Sequence, residues 1–291
     1  KRRMRAIYKR ELGSYFHSMI GYVFIAFLVA FTGIYFMAYN LNYGYPYFSY
    51  VLSGILFVFM IAIPILTMRS FAEDKKSKTD QLLLTSPVSL FKIVMGKYLA
   101  MASILAIPCV IYLIFPWIIK AQGTAYILVD YLSILMFFLL GCVYISIGMF
   151  ISSLTESQII AAIGTFGILV LLYLWNGILD FLPSSALANV IGAILILTLV
   201  VAGIWQMTKN WMISGALEAM VIAGSVISYS VKSSLWENAL SQILGRLDLT
   251  KAFTSIASDR LLDISGIILY LSLIGIFIFL TMQMIQKRRW S

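Results

Sequence analysis

Eight stretches of this chain stay apolar for close to the roughly 20 residues that an α-helix needs to cross a hydrocarbon layer. They are residues 20–39, 51–68, 98–119, 131–151, 159–175, 187–205, 211–229 and 264–284. Over the 291 residues, 62% are apolar and 11% charged, where a soluble domain carries about half and about a quarter. Inside hydrocarbon every backbone N–H and C=O must be bonded internally, which leaves helices and closed barrels. The ten-residue alternation of barrel strands is absent from these runs. The expectation is an all-α polytopic membrane bundle of about eight transmembrane helices, a single transmembrane domain over residues 1–291. Cys109 and Cys142 both lie inside apolar runs, far from any disulfide framework spacing.

Eight spans return both termini to one side, and the placement of Lys and Arg selects which. Segments 1–19, 69–97, 152–158, 206–210 and 285–291 carry sixteen of the basic residues; 40–50, 120–130, 176–186 and 230–263 carry five. Both termini are therefore expected in the cytoplasm. The same bias accounts for the net charge of +9 through contact with anionic lipid headgroups, without nucleic acid. The first span exits through Tyr39-Asn40-Leu41-Asn42 with no small-residue cleavage site, so it is read as a retained anchor.

Before that span, Met4, Ile7, Tyr8, Leu12, Tyr15 and Phe16 recur at spacings of three and four among basic residues. This is the pattern of an amphipathic helix lying in the membrane interface over 1–19. His17 is the sole histidine, which removes histidine-based metal sites and catalysis.

The loop 69–97 carries most information. Ser70 followed by Glu73 matches a capping box, so a helix is expected to restart there. Thr79 is placed to cap a second short helix bearing Leu82, Leu83 and Leu84, Pro87 to stop it, and Ser89 to cap the next span. Three leucines, each worth about 1.5–3 kcal/mol when buried, need a dry surface. Docking onto a cytoplasmic partner and packing beneath the bundle both supply one, and the loop by itself leaves the two open.

Phe71-Ala72-Glu73-Asp74-Lys75, followed by Thr79-Asp80-Gln81-Leu82-Leu83-Leu84-Thr85-Ser86-Pro87-Val88-Ser89, resembles the cytoplasmic loop between the second and third spans of ABC-2-type transporter permeases. The amphipathic start and the Lys287-Arg288-Arg289-Trp290 ending are similar to the gliding-motility-type subgroup. The resemblance implies that this loop is a coupling helix seated on a separate P-loop ATPase, with Glu73, Asp74, Thr79, Gln81, Leu82, Leu83, Thr85 and Ser86 in contact. It implies a second contact between spans four and five, at Glu156. It also implies two copies of the ATPase, which binds ATP and Mg²⁺, a second permease subunit completing a homo- or heterodimer, and the cytoplasmic membrane of a bacterium. Two positions depart from the pattern. Lys78 stands where a glycine usually precedes the threonine, and eight spans exceed the common six, pointing to spans six and seven as an inserted pair.

Chemistry within the chain is sparse. Gly96-Lys97-Tyr98 lacks the glycines and hydroxyl of a phosphate-binding loop, so no ATPase and no catalytic or metal site is expected here. ATP hydrolysis would occur in trans. Inside span seven, Ser214, Glu218 and Ser225 share a face, an intramembrane polar stripe. It reads as a cavity wall or proton-linked carboxylate, or as a carboxylate satisfied by a neighbouring helix. An ion-gradient-driven transporter using Glu218 is the alternative class; a regulatory membrane subunit is a third. The six tyrosines between Tyr35 and Tyr50 read as an interfacial belt or part of an exit path. Pro64, Pro108 and Pro116 are expected to kink spans two and three. Residues 230–263, with Trp236, Leu240, Ile243, Leu244, Leu247 and Leu249, read as an outer amphipathic segment.

Overall fold

The computed structural model describes residues 2–79, 88–208, 211–232, 236–246, 248–260 and 263–290. Every regular element among them is helical. They form two compact units, Lys1–Leu172 with Leu249–Ser291, and Tyr173–Asp248.

The larger unit opens with α1 (Arg2–His17), then α2 (Ile20–Phe36), which continues as a π-helical turn over Met37–Asn42. A short α3 (Ser49–Gly54) leads into α4 (Leu56–Thr67), followed by α5 (Ala72–Lys76) and the long α6 (Leu90–Tyr112). After α6 come α7 (Phe115–Gln122), α8 (Ile127–Leu154) and α9 (Gln158–Tyr173). The smaller unit holds α10 (Trp175–Asp180), α11 (Ala186–Thr208), α12 (Trp211–Val231) and α13 (Ala239–Gly245). The chain re-enters the larger unit with α14 (Lys251–Thr254), a π turn over Ser255–Asp259, and α15 (Ile264–Trp290).

Among the described residues, five helical stretches are long and apolar enough to cross a membrane: Ile20–Asn42, Leu56–Lys76, Leu90–Gln122, Ile127–Leu154 and Ile264–Lys287. The remaining expected spans meet shorter apolar helices, Gln158–Tyr173, Ala186–Thr198 and Leu217–Ser230. The 16 residues of α9 rise only about 24 Å, less than the roughly 30 Å of a hydrocarbon core. The protein is a multi-pass membrane protein.

The buried fraction identifies the centre. In α8, 78% of the apolar window is buried, against 22% in α15. Helix α8 packs on α4, α6 and α15, and α2 packs on α4 and α6. Gly141 and Gly148 make the α4–α8 approach possible. A Cβ at Gly148 would overlap Thr67 Oγ1 and lie 2.8 Å from Thr67 Cβ. Close approach of this kind is what small residues permit between membrane helices. Pro64 and Pro108 fall inside α4 and α6 as expected. Pro116 lies in the stretch Leu90–Gln122 just after the break between α6 and α7, in the first turn of α7, where a missing N–H removes no helical bond.

The segment 230–263 is divided between the units rather than forming one outer helix. Phe253 and Ile256 are buried in the larger unit's core, while Ile243 in α13 is 64% exposed.

Candidate functional site

Helix α5 carries the first part of the expected coupling loop. Its sequence, Ala72-Glu73-Asp74-Lys75-Lys76, places acids in the first turn and bases in the last, the order that complements the helix dipole. The expected capping box does not form. Phe71, not Ser70, occupies the cap position, and the buried Ser70 hydroxyl has no hydrogen-bond partner among the described residues. Glu73 is drawn away by Arg69, which donates from Nε to Oε2 at 2.5 Å and from a terminal nitrogen to Oε1 at 3.0 Å.

The cap comes instead from another helix. Ser152, in the last turn of α8, accepts the backbone N–H groups of Phe71 at 3.2 Å and Ala72 at 3.1 Å. Its own hydroxyl proton goes to the carbonyl of Met68 at 3.0 Å. Lys75 then donates from Nζ to the carbonyl of Ser153. The beginning and the end of α5 are thus both held by the end of α8.

The turn after α5 answers the departure at Lys78. Ser77 donates its N–H to Glu73 O at 2.9 Å, and Lys78 takes φ 56°. That is the left-handed conformation glycine adopts most readily, so the turn forms with a lysine in the glycine's role. The short helix that Thr79 was expected to cap lies outside the described residues. The Thr79 hydroxyl donates to Asp74 Oδ1 at 3.2 Å and lies 2.9 Å from Ser77 Oγ.

Lys97, on α6, was not among the expected site residues, yet it is the centre of this region. It is 2% exposed. Its ammonium lies 2.8 Å from Asp74 Oδ2 and 3.0 Å from Glu11 Oε2, and 5.2 Å from the centre of the Phe71 ring. A buried ammonium is tolerated only when paired in this way. Arg10 bonds Glu11 at 2.6 Å. Three cations (Arg10, Arg69, Lys97) and three carboxylates (Glu11, Glu73, Asp74) line a pocket of about 310 Å³. The available signal was a lysine flanked by Ile93, Val94, Gly96 and Tyr98, all buried. It was hidden because Lys97 looked like the last residue of a loop.

In helix α1, Glu11 and Tyr15 are buried and Arg5, Lys9 and Arg10 exposed, while Met4, Ile7, Tyr8, Leu12 and Phe16 are half-buried. Its inner face lies on the bundle. The Tyr8 and Ser103 hydroxyls are 3.0 Å apart, and Tyr15 donates to Leu66 O at 3.0 Å. Burial pushes the Tyr15 phenol well above its ordinary range, with Glu11 adding to the shift and Arg69, 5.7 Å from the ring centre, opposing it.

Of the expected partner-contact residues, the structure brings Glu73, Asp74 and Thr79 together here. Gln81, Leu82, Leu83, Thr85 and Ser86 lie outside the described residues. Glu156 is exposed in the turn from α8 to α9, three residues beyond Ser153. In the smaller unit, Thr198 on α11 donates to Glu218 Oε1 on α12 at 3.0 Å. Ser225 is buried, and the side chain of Ser214 is outside the described residues.

The tyrosines after α2 form a connected stack. Tyr39 and Tyr43 each stack with Tyr45, Tyr47 stacks on Tyr126 at 4.6 Å, and the Arg260 guanidinium lies 4.0 Å over Tyr47. The segment is held by Asn40, which donates to Tyr45 O and Tyr47 O, and by Asp130, which accepts the Phe48 N–H at 2.8 Å.

The family model described as ABC-2 family transporter protein matches residues 14–284 of this chain. No curated protein and no solved structure matches it.

Proposed function

The chain belongs to the ABC-2 transporter family, and we propose that it is the membrane-spanning permease subunit of an ATP-driven exporter. In this reading a separate P-loop ATPase, present in two copies, binds ATP and Mg²⁺ and hydrolyses the nucleotide. This chain holds no cofactor and performs no catalysis. Two permease subunits, identical or related, form the path across the cytoplasmic membrane of a bacterium. The distribution of Lys and Arg supports cytoplasmic termini and the arrangement of eight spans. The exposed basic face of α1 supports a position at the lipid headgroups. The loop and C-terminal motifs support the gliding-motility-type subgroup.

One observation carries the proposal. Helix α5 is only 5 residues long, yet it is bonded to α8 through Ser152 and Ser153 and to α6 through Lys97. A short helix fastened at each end to spanning helices passes a push into the bundle instead of absorbing it. An ATPase closing beneath the 69–97 loop would tilt α4, α6 and α8 together. Such a push switches the path only if nucleotide binds one arrangement better than the other. The Thr198–Glu218 hydrogen bond supports a packing role for Glu218 over ion coupling.

The test is Leu83→Asp in the full chain. Membrane insertion is expected to be retained while co-purification of a P-loop ATPase, and the stimulation of its activity, are lost. Undiminished co-purification with the Leu83→Asp chain would overturn the docking role of the loop.

A further inference from the structure

We propose that Lys97 is a positioning residue that joins the N-terminal helix α1 to α5, so that α1 moves as part of the driven element. The inference rests on the reading of α5 as the helix the ATPase pushes.

Four ties hold α1. Ile7 lies against Gly96, where a Cβ would come within 2.9 Å of Ile7 Cγ2. Tyr8 meets Ser103, and Tyr15 donates to Leu66 O. These three join α1 to α6 and α4, and none reaches α5. The fourth is Glu11 to Lys97, and the same ammonium holds Asp74 of α5. A longer path runs through Arg69, which grips Glu73 and lies over the Tyr15 ring. At 5.7 Å from the ring centre that contact orients weakly beside two ion pairs at 2.8 and 3.0 Å.

The electrostatics make the tie two-signed. With Lys97 in place, Glu11 and Asp74 are both drawn to one buried cation. Without it, Glu11 and Asp74 are like charges with no shared cation, and the attraction joining α1 to α5 gives way to a repulsion that Arg10, paired with Glu11, only partly offsets. Lys97 therefore sets the spacing of the two helices, where a neutral residue of equal volume would only fill space. The Phe71 ring lies 5.2 Å from the same ammonium, and Lys97 is buried, so its charge acts chiefly on the two carboxylates.

The experiment places spin labels at Lys9→Cys and Lys76→Cys, both exposed, in the full chain with Cys109 and Cys142 replaced by alanine. The inter-label distance is read in lipid nanodiscs, below the melting temperature of each variant. One narrow distribution is expected, unchanged in Lys97→Arg and broadened roughly twofold in Lys97→Met and in Glu11→Gln as the two helices sample separate positions. A purely structural role would lower the melting temperature and leave the distribution narrow. In the complex with its co-purifying ATPase, ATP with vanadate is expected to leave the distance constant in the parent chain and to change it in Glu11→Gln. A narrow, unshifted distribution in both Glu11→Gln and Lys97→Met, or a nucleotide-dependent change in the parent, overturns the inference. Failure to co-purify any ATPase overturns the functional reading instead, while the isolated chain still decides whether Lys97 couples the helices.

Discussion

Ser152 accepts the backbone N–H of Ala72 at 3.1 Å, so the last turn of one spanning helix supplies the missing cap of the helix that follows another. The same hydroxyl donates to Met68 O. One small side chain therefore fixes the end of α4, the start of α5 and the end of α8 at a single point. Gly148, one turn earlier on α8, sits where Thr67 of α4 comes closest. The close crossing brings Ser152 within reach of the α5 backbone.

Replacing that cap has a local signature. Ser152→Ala leaves two helix-start N–H groups without an acceptor, at a cost of about 1–3 kcal/mol. Hydrogen exchange at Phe71 and Ala72 is expected to accelerate strongly while exchange in α2 and α15 is unchanged. Protection of Phe71 and Ala72 equal to that of the parent would show that the cap carries no energy.

The crossing itself is testable by volume. Gly148→Ala forces α4 and α8 apart at Thr67 and is expected to destabilise the chain by about 1–3 kcal/mol, read as a lower thermal midpoint in detergent. Adding Thr67→Ala removes Oγ1 but keeps the Cβ, so it should return part of the loss. A double variant no more stable than Gly148→Ala alone would place the strain elsewhere.

For Glu218 the two roles separate by partner. Thr198→Val removes the hydroxyl donor to Oε1 and is expected to cost about 1 kcal/mol. Glu218→Gln keeps an acceptor for Thr198 and should leave stability and nucleotide-driven transport close to the parent. Loss of transport in Glu218→Gln with an unchanged thermal midpoint would assign the carboxylate to ion coupling.

The start of α15 should respond to acid. Asp263 Oδ1 accepts the Ser265 hydroxyl at 2.6 Å and its N–H at 3.0 Å. These bonds to Ser265, together with the Gly266 N–H and the nearby Lys251, hold the carboxyl below its usual range. A carboxyl whose pKa falls on folding stabilises the folded form above its unfolded pKa, and that contribution disappears as pH drops through the folded value. Exchange at Ser265 and Gly266 is therefore expected to rise on acidification. Asp263→Asn should abolish that pH dependence; the same acid response in Asp263→Asn would refute it.

Part of the site was legible and part was not, for a common reason. A helix restarting after Ser70 was expected from the Ser70–Glu73 spacing, and one forms at Ala72–Lys76, because helix starts depend on neighbours within a few residues. Lys78 stood only as a departure from a glycine pattern, and the structure gives it the left-handed φ of 56°. Lys97 was passed over, since its value comes from Glu11 and Asp74, which lie 86 and 23 positions away in the chain. The capping box failed for the same cause. Ser70 and Glu73 have the right spacing, but Arg69 and Ser152 compete for the groups involved, and the competition is decided by packing.

The residue order alone determined that this is a helical membrane protein, where its long apolar helices run, and that a helix precedes the first of them. Those are properties of apolar run length and of a 3.6-residue period, both local. Tertiary structure alone decided that three helix ends share Ser152, that two carboxylates share Lys97, and that Glu218 answers to Thr198. A hydrogen bond or an ion pair acts over about 3 Å, and only the fold determines which distant residues come that close.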